Sequence, residues 1–410
     1  MCAGSSPPGC AEAVERIAEA TLRRRIAAAR AVAEKLDVEA LLLYAAPRRL
    51  EGGTQTTGNV HYFTGWTPLG APSAIVLPAG GEPIVIAGGS NEARVFRERA
   101  GGFAEVRQGS RARPFAELIR TALVDGRNVR PRVGIAGGRE MPAALHGPLA
   151  EACEFVAADR PIHDLRLVRE PEEVACHRRA AAMSDRMIQR AMDLAVVPGV
   201  TPAEIMSEVE FAGRRMGADL AGLWLATGPA PPVTCFELFE LPPAIGPHDR
   251  IQLGTIVSYE GHFAQGLRVG VRGRASRELK DCAQALTDIQ DAALAELVPG
   301  RPVHRVVDII EGLIDRHCPF SRSADPFRFQ SCHGLGLDYS EPCMSGSLSP
   351  DRDRAGDADG PLIGENMVFE IHPNFTVPGL GHVCVGDTAV ATPQGGELLT
   401  RFPRGLVMLD

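Results

Sequence analysis

The sequence predicts two domains, an α/β domain followed by an α+β domain. Its 410 residues are too many for one ordinary hydrophobic core. Short apolar runs alternate with helical patterns through about residue 160, which is typical of an α/β domain. Beyond that point two long helical segments precede strands of the antiparallel kind, which favours an α+β arrangement. We therefore expect a loose leader at 1–10, the first domain at 11–160 and the second at 161–410.

The first domain begins with a helix and continues with short strands. From Ala11 to about Lys35 the chain is alanine-rich, and its apolar positions recur every three or four residues. Glycine and proline then separate four apolar runs, which predict strands: DVEALLLYAAP, VHYFTGW, PSAIVLPA and EPIVIAGG. The segments NEARVFRERA and PFAELIRTALVDG predict two helices, and RVGIAGG predicts a further strand.

The boundary between the domains is predicted in the segment from Ala158 to Val174. It contains prolines, charges and a Pro-Glu-Glu helix start, whose acidic residues favour a helix N-terminus. A second helix follows, with Thr201 and Glu204 spaced as a capping box. The remainder predicts two more helices and the strands TIVSYE, GLRVGVRG, NMVFEIHPNF and DTAVAT.

Composition and charge exclude several classes of protein. With 45% hydrophobic and 23% charged residues, the chain has the make-up of an ordinary globular protein. Its formal net charge of −8 comes from mixed signs, which argues against a nucleic-acid partner. No stretch approaches 18 apolar residues and no signal peptide is visible, so we expect no membrane partner. The ten scattered cysteines form no CxxC pair, and this usage indicates a reducing, cytoplasmic compartment.

Familiar catalytic motifs are missing from the sequence. There is no GxSxG elbow, P-loop, HExxH helix or dinucleotide-binding fingerprint. Serine hydrolase, nucleotide triphosphatase and dehydrogenase functions therefore have no support.

Several segments together resemble one known family. GNVHYFTGW, LRLVREPEEVACHRRAAAMSD, GTIVSYEG, CHGLGLDYSEP and ENMVFEIHPNF follow one another in the order found in the creatinase/aminopeptidase P family of Xaa-Pro peptidases. The resemblance covers the chain from about Ala11. It implies a catalytic domain of the pitta-bread fold, a hydrolase and a homodimer.

The resemblance also implies a metal site, which this sequence does not preserve. The metallopeptidases of the family hold two metal ions with two aspartates, one histidine and two glutamates. Aligned with them, the corresponding positions here are Glu260, Gln265, His333, His372 and Gly386. Only one carboxylate remains among these five residues, and a buried pair of dications with so little negative charge would be prohibitively unfavourable. We therefore expect no dinuclear centre.

The favoured function is a metal-independent, creatinase-like enzyme acting on a small polar substrate. It would hydrolyse, or eliminate at, a C–N bond, with His333 as the main proton-transfer residue. Glu260 and His372 would assist as acid–base or orienting partners. Four residues are expected to contact the substrate: Arg268, Gln265, Glu341 and His61.

Two other functions remain open at this point. Glu260, His333 and His372 together are two imidazoles and one carboxylate, a ligand set of many single divalent metal ions. A cofactor is otherwise not favoured. Alternatively, the chain is a catalytically inactive binding protein, in which these residues have structural roles only.

Overall fold

A computed structural model describes residues 17–47, 56–100, 102–110, 114–124, 130–232, 241–318, 331–341 and 361–409. The predicted leader at 1–10 lies outside these residues, as does the predicted helix before residue 17. The chain forms two compact units. The first unit holds Glu15–Leu167 together with Gly336–Glu341, and the second holds Val168–Leu335 and Pro342–Asp410.

The first unit is an α/β domain, as predicted. Its helices are α1 (Glu19–Lys35), α2 (Gly58–Thr64), α3 (Ser90–Ala100), α4 (Phe115–Val124), α5 (Ala143–Ala152) and α6 (Asp159–Asp164). Its strands are β1 (Ala40–Ala45), β2 (Ser73–Pro78), β3 (Ile84–Ala87), β4 (Glu105–Gln108), β5 (Arg132–Ala136) and β6 (Glu154–Ala157). They form one mixed sheet in the order β4-β3-β2-β1-β5-β6.

Hydrophobic residues cover both faces of this sheet. Along β1, Leu41 and Leu43 belong to one buried cluster, whereas Leu42 and Tyr44 belong to another. Successive strand residues point to opposite faces, so a continuous apolar run is what a strand buried on both sides requires.

One predicted strand of the first unit is wrong. The segment VHYFTGW does not form a strand, because α2 spans Gly58–Thr64 and ends at Gly65 with a left-handed φ of 68°. The helix N-terminus is bound by Asp338, whose Oδ1 accepts hydrogen bonds from Thr57 Oγ1 at 2.6 Å and Gly58 N at 3.1 Å. This contact is 280 residues away in sequence and overrides the local preference of the aromatic run.

The second unit combines helices with a largely antiparallel sheet. Its helices are α7 (Pro171–Ala195), α8 (Pro202–Arg215), α9 (Arg277–Glu296) and α10 (His304–His317). Its strands are β7 (Leu220–Gly228), β8 (Arg250–Tyr259), β9 (His262–Arg272), β10 (Cys332–Gly334), β11 (Val368–Ile371), β12 (Asn374–Val377), β13 (Gly381–Cys384), β14 (Gly386–Thr392), β15 (Gly395–Leu398) and β16 (Leu406–Leu409). The main sheet has the order β10-β11-β14-β9-β8-β7, while β12 and β13 form a separate hairpin.

The predicted helix starts of this unit are confirmed. Helix α7 begins at Pro171 with a capping box, and Thr201 and Glu204 form the predicted box at α8. Helix α7 covers one face of the sheet, where Ser184 and Thr255 are joined by a 2.6 Å hydrogen bond. Along β8, the residues on either side of Thr255 point to the opposite face, and so do their partners on β9. Among the described residues, no helix is long and apolar enough to cross a membrane.

Candidate active site

A row of polar residues crosses the sheet on the face opposite α7. Strand pairing places His333 directly across from Glu370, and Glu370 directly across from Thr388. Thr388 Oγ1 in turn accepts a 2.8 Å hydrogen bond from Gln265 N and donates one of 2.8 Å to Gln265 O. Directly opposed residues of an antiparallel sheet point to the same face, so the four residues form one continuous row.

The neighbouring row on this face contains two glycines. Gly254 pairs with Leu267, and Leu267 pairs with Gly386. A Cβ at position 386 would lie 3.0 Å from the Cβ of His372, so His372 stands at the end of this row. Two glycines beside one imidazole leave the row without a single carboxylate.

His333 and His372 lie against one another at the centre of the site. Their rings are 5.3 Å apart between centroids and meet edge to face, and both side chains are buried. His333 Nδ1 is 2.9 Å from the carbonyl oxygen of Gly334. Because a carbonyl only accepts, Nδ1 carries the proton, and Nε2 is the proton-accepting nitrogen of this ring.

The electrostatic surroundings keep His372 neutral. Burial, followed by the nearby rings of His333 and His382, holds the pKa of His372 well below its ordinary value. Among the described residues, its buried Nε2 has no hydrogen-bond partner. The ring is therefore an uncharged imidazole at neutral pH.

Glu370 is a member of this site that the sequence prediction missed. Its side chain is fully buried, and its Oε1 has no hydrogen-bond partner in the part of the chain that the structure describes. Burial, together with the nearby Asp387, raises the pKa of Glu370 well above its ordinary value. A signal was present in the sequence: Glu370 lies two residues before His372 within an apolar strand, and a period of two places both on one face.

Glu370 occupies the space that a side chain at position 386 would need. A Cβ on Gly386 would lie 2.7 Å from Glu370 Oε1 and 2.6 Å from Leu267 Cδ1. A glutamate at position 386 would therefore displace Glu370. In this chain the carboxylate of the site comes from β11 instead of β14.

Glu260 does not join the histidines, contrary to the sequence prediction. It occupies the tight turn between β8 and β9 with a φ of 45°, followed by Gly261 with a φ of 80°. The row of His333 crosses β8 at Ile256, which pairs with Gln265. Glu260 is four residues beyond that point, roughly 13 Å along an extended strand. On β8, the residue that lies in the row of His372 is Gly254 and not Glu260.

Arg268 is placed on the other face of the sheet, with every N–H donor in use. It donates to the carbonyl oxygens of Leu267, Gly386, Phe402 and Pro403 and to the carboxylate of Asp387. Five donors are all that a guanidinium has, and the side chain is fully buried. The predicted role as a substrate anchor does not fit this position, so we leave Arg268 out of the proposed site.

Glu341 and His61 belong to the first unit, where both have structural partners. Glu341 Oε1 lies 3.3 Å from Arg166 Nε, and its Oε2 accepts a 3.1 Å hydrogen bond from Asp338 N. Arg166 also contacts the Asp338 carboxylate at 3.0 Å, which completes a buried charged triad. His61 is buried with Nδ1 2.7 Å from Thr67 Oγ1. The residues predicted for substrate contact are therefore divided, and Gln265 alone lies in the row of His333.

The mononuclear metal site predicted from Glu260, His333 and His372 is not formed. Because Glu260 occupies the hairpin turn, the trio does not converge. Within the described residues, no three histidine, cysteine, aspartate or glutamate side chains come together as a metal-binding group.

Comparison with known proteins identifies the family. Residues 175–393 match the model of metallopeptidase family M24. The uncharacterized peptidase YqhT of Bacillus subtilis is 24% identical over 273 residues, which are 65% of this chain and 71% of that protein. The Xaa-Pro dipeptidase of Pyrococcus furiosus is 24% identical over 262 residues, 62% of this chain and 69% of that protein.

Solved structures have the same fold. The dipeptidase PepE from Mycobacterium ulcerans superposes with a TM-score of 0.75 at 23% identity, covering 96% of this chain and 99% of that one. The prolidase from Pyrococcus horikoshii gives a TM-score of 0.74 at 20% identity, covering 93% and 99%. The predicted class, an α/β domain joined to a pitta-bread domain of hydrolase type, is confirmed. The chain belongs to metallopeptidase family M24.

The residues of the site do not fit the pair of metal ions that this family implies. Two glycines stand in the row of His372, and Glu370 is the only carboxylate in the polar row. Two dications need anionic oxygen ligands to offset their charge. One carboxylate beside two imidazoles does not offset the charge of two such ions.

Proposed function

We propose that this chain is a hydrolase that cleaves a C–N bond of a small polar substrate by acid–base chemistry, without a dinuclear metal centre. The observation that carries the proposal is the contact of His333 and His372 beside the fully buried Glu370, whose pKa burial raises well above its ordinary value. His333 can accept a proton at Nε2 and Glu370 can donate one as a carboxylic acid, whereas a single carboxyl group does not supply the anionic oxygens that paired metal ions need. Membership of the family supports a hydrolase and leaves the substrate open.

The proposed roles follow from the protonation states of the three groups. His333 Nε2 takes a proton from water as the hydroxyl oxygen bonds to the substrate carbon. Glu370, as a carboxylic acid, gives its proton to the departing nitrogen as the C–N bond breaks. The imidazolium of His333 then returns its proton to the Glu370 carboxylate, which lies directly opposite on the neighbouring strand. His372 orients the water between them.

The test combines metal analysis with variants of the three residues. Protein treated with a chelator is assayed against small amides, ureas, amidines and Xaa-Pro dipeptides, with and without added Mn²⁺, Co²⁺ or Zn²⁺. We expect turnover of at least one substrate with less than about one tenth of an equivalent of metal. Loss of at least 100-fold is expected in His333→Ala and in Glu370→Gln, because proton transfer contributes about 10²–10⁴-fold.

A matched control uses His248, an exposed histidine of the same unit. His248→Ala should keep full activity, and the melting temperature of His333→Ala should stay within a few degrees of wild type. Activity that appears only with two equivalents of metal would refute the proposal and favour a metallopeptidase of family M24. The homodimer and the cytoplasmic location stay predictions, checked by light scattering and by fractionation.

A further inference from the structure

Arg250 is a buried cation whose charge has no visible partner. The side chain is 3% exposed at the first position of β8, and its Nε donates to the carbonyl oxygen of Pro229 at 3.3 Å. Among the described residues, neither of its buried terminal nitrogens has a hydrogen-bond partner. A guanidinium buried in this way is strongly unfavourable unless an anion is supplied.

The ionisable groups near Arg250 do not supply that anion. Burial lowers the pKa of Arg250, and the groups that act against this are the thiols of Cys282 and Cys384. Burial raises the pKa of Cys384 to about 12, and burial likewise raises that of Cys282. Both thiols are therefore neutral at physiological pH, so among the described residues they do not compensate the guanidinium charge.

Arg250 points to the same face of the sheet as the proposed active site. Arg250, Gln252 and Gly254 alternate along β8, and a Cβ at Gly254 would face Leu267 of the glycine row. Arg250 is four residues, roughly 13 Å of strand, from Gly254.

The segment around Pro231 holds His382 beside Arg250. Arg250 donates to Pro229 O, Gln252 Nε2 donates to Pro232 O at 3.2 Å, and the backbone of His382 donates to Pro231 O at 2.9 Å. These three bonds tie β8 and β13 to one short stretch of chain.

A chain of contacts connects His382 with the active site. His382 Nε2 is 3.2 Å from Asn374 Oδ1, and Asn374 Nδ2 donates to His372 O at 2.9 Å. Because the amide oxygen only accepts, His382 Nε2 carries the proton and Nδ1 is an acceptor. Within the described part of the chain, this buried Nδ1 also has no hydrogen-bond partner.

We propose that Arg250 and His382 form an anion subsite that binds a carboxylate group of the substrate. The inference rests on the proposed function, since it places the subsite at one end of that active site. The guanidinium binds the two carboxylate oxygens with its parallel N–H groups, and His382 Nδ1 accepts a hydrogen bond from a neighbouring N–H or O–H of the same molecule. The substrate class is therefore a small carboxylate whose cleaved C–N bond lies at its other end.

The test measures anion binding directly, without requiring turnover. The melting temperature of the full chain is followed at constant ionic strength with increasing acetate, inorganic phosphate or neutral N-methylacetamide. A ligand that binds only the folded chain raises the melting temperature with a saturable dependence on concentration. We expect saturation with acetate and no shift with N-methylacetamide.

Variants assign the effect to the subsite. Arg250→Met should raise the Kd for acetate at least tenfold, while Arg250→Lys should retain part of the binding as a point charge. Arg272→Met is the matched control and should bind acetate like wild type. Val271 pairs with Arg250 and therefore shares its face of the sheet, so the next residue, Arg272, points to the opposite face. Equal acetate binding by wild type and Arg250→Met, or saturation with phosphate alone, would overturn the proposal.

The two proposals fail separately. His333→Ala should lose turnover and still bind acetate with the wild-type Kd. If no C–N substrate is found but Arg250→Met abolishes acetate binding, the subsite stands and the proposed function fails. If turnover depends on His333 but Arg250→Met leaves both acetate binding and KM unchanged, the subsite fails and the function stands.

Discussion

His262 should make the stability of this protein decrease above neutral pH, and His262→Gln should remove that dependence. The ring is buried between β9 and α7, with Nδ1 2.8 Å from Glu260 O and Nε2 3.4 Å from Glu173 Oε1. Burial opposes its charged form, but hydrogen bonds to Cys176 and Glu173 outweigh burial and raise the pKa of His262 from 6.5 to about 9.

The direction and size of the effect follow from proton binding. The folded chain holds a proton on His262 between pH 6.5 and about 9, where the unfolded chain has released it. The resulting stabilisation is fully present below pH 6.5 and is lost as the pH rises through 9. A difference of about 2.5 pKa units at about 1.4 kcal/mol per unit corresponds to between about 3 and 4 kcal/mol.

Urea denaturation of wild type and His262→Gln at pH 6 and pH 9.5 measures this quantity. The difference in unfolding free energy between the two proteins should shrink by about 3 kcal/mol from the lower to the higher pH. Other titrating groups contribute equally to the unfolding free energies of both proteins, so their contributions cancel in the difference. The exposed His248→Gln serves as the control and should show no such change. A difference between wild type and His262→Gln that is the same at both pH values would refute a charged His262.

Two further predictions concern packing and buried charge. Gly386→Ala should lower the unfolding free energy by about 1–3 kcal/mol and reduce turnover, because the new Cβ would overlap Glu370 and Leu267. Gly312 has open space around it, so Gly312→Ala is the control and should change neither quantity. Chemical denaturation and kinetics check both, and a fully active, fully stable Gly386→Ala would contradict the described packing. Glu341→Gln should destabilise the first unit by about 3 kcal/mol because Arg166 loses one buried partner. Glu397→Gln, at the half-exposed pair with Arg178, should cost no more than about 1 kcal/mol, and equal losses in the two variants would count against a buried triad.

The fold could be predicted because its local signals agree with its tertiary structure. The capping box at Thr201 and Glu204, and the Pro-Glu-Glu start of α7, depend only on residues close in sequence. Helix α2 could not be predicted in this way. Its N-terminus is bound by Asp338 from a distant part of the chain.

Site residues could be predicted where the residue type within a motif was sufficient. They could not be predicted where the pairing of two strands determines which residue lies beside the histidines. His333 and His372 were selected by residue type within their motifs, and strand pairing brings their rings together. Glu260 was selected because it ends a hydrophobic strand. Which residue of β8 faces the histidines depends, however, on its pairing with β9, and that pairing selects Gly254. Glu260 lies six residues beyond Gly254, in the turn, and a single run of residues does not show how far along β8 the histidines lie.

The sequence by itself determined the α/β and pitta-bread domain classes and the family, whereas the loss of metal-binding carboxylates stays a prediction. Only the tertiary structure decided which polar groups have partners. It satisfies every donor of Arg268 on one face of the sheet and leaves the terminal nitrogens of Arg250 without partners, among the described residues, on the other. The physical reason is that the cost of a buried charge depends on the atoms within hydrogen-bonding distance, and those atoms come from strands and loops far apart in the chain.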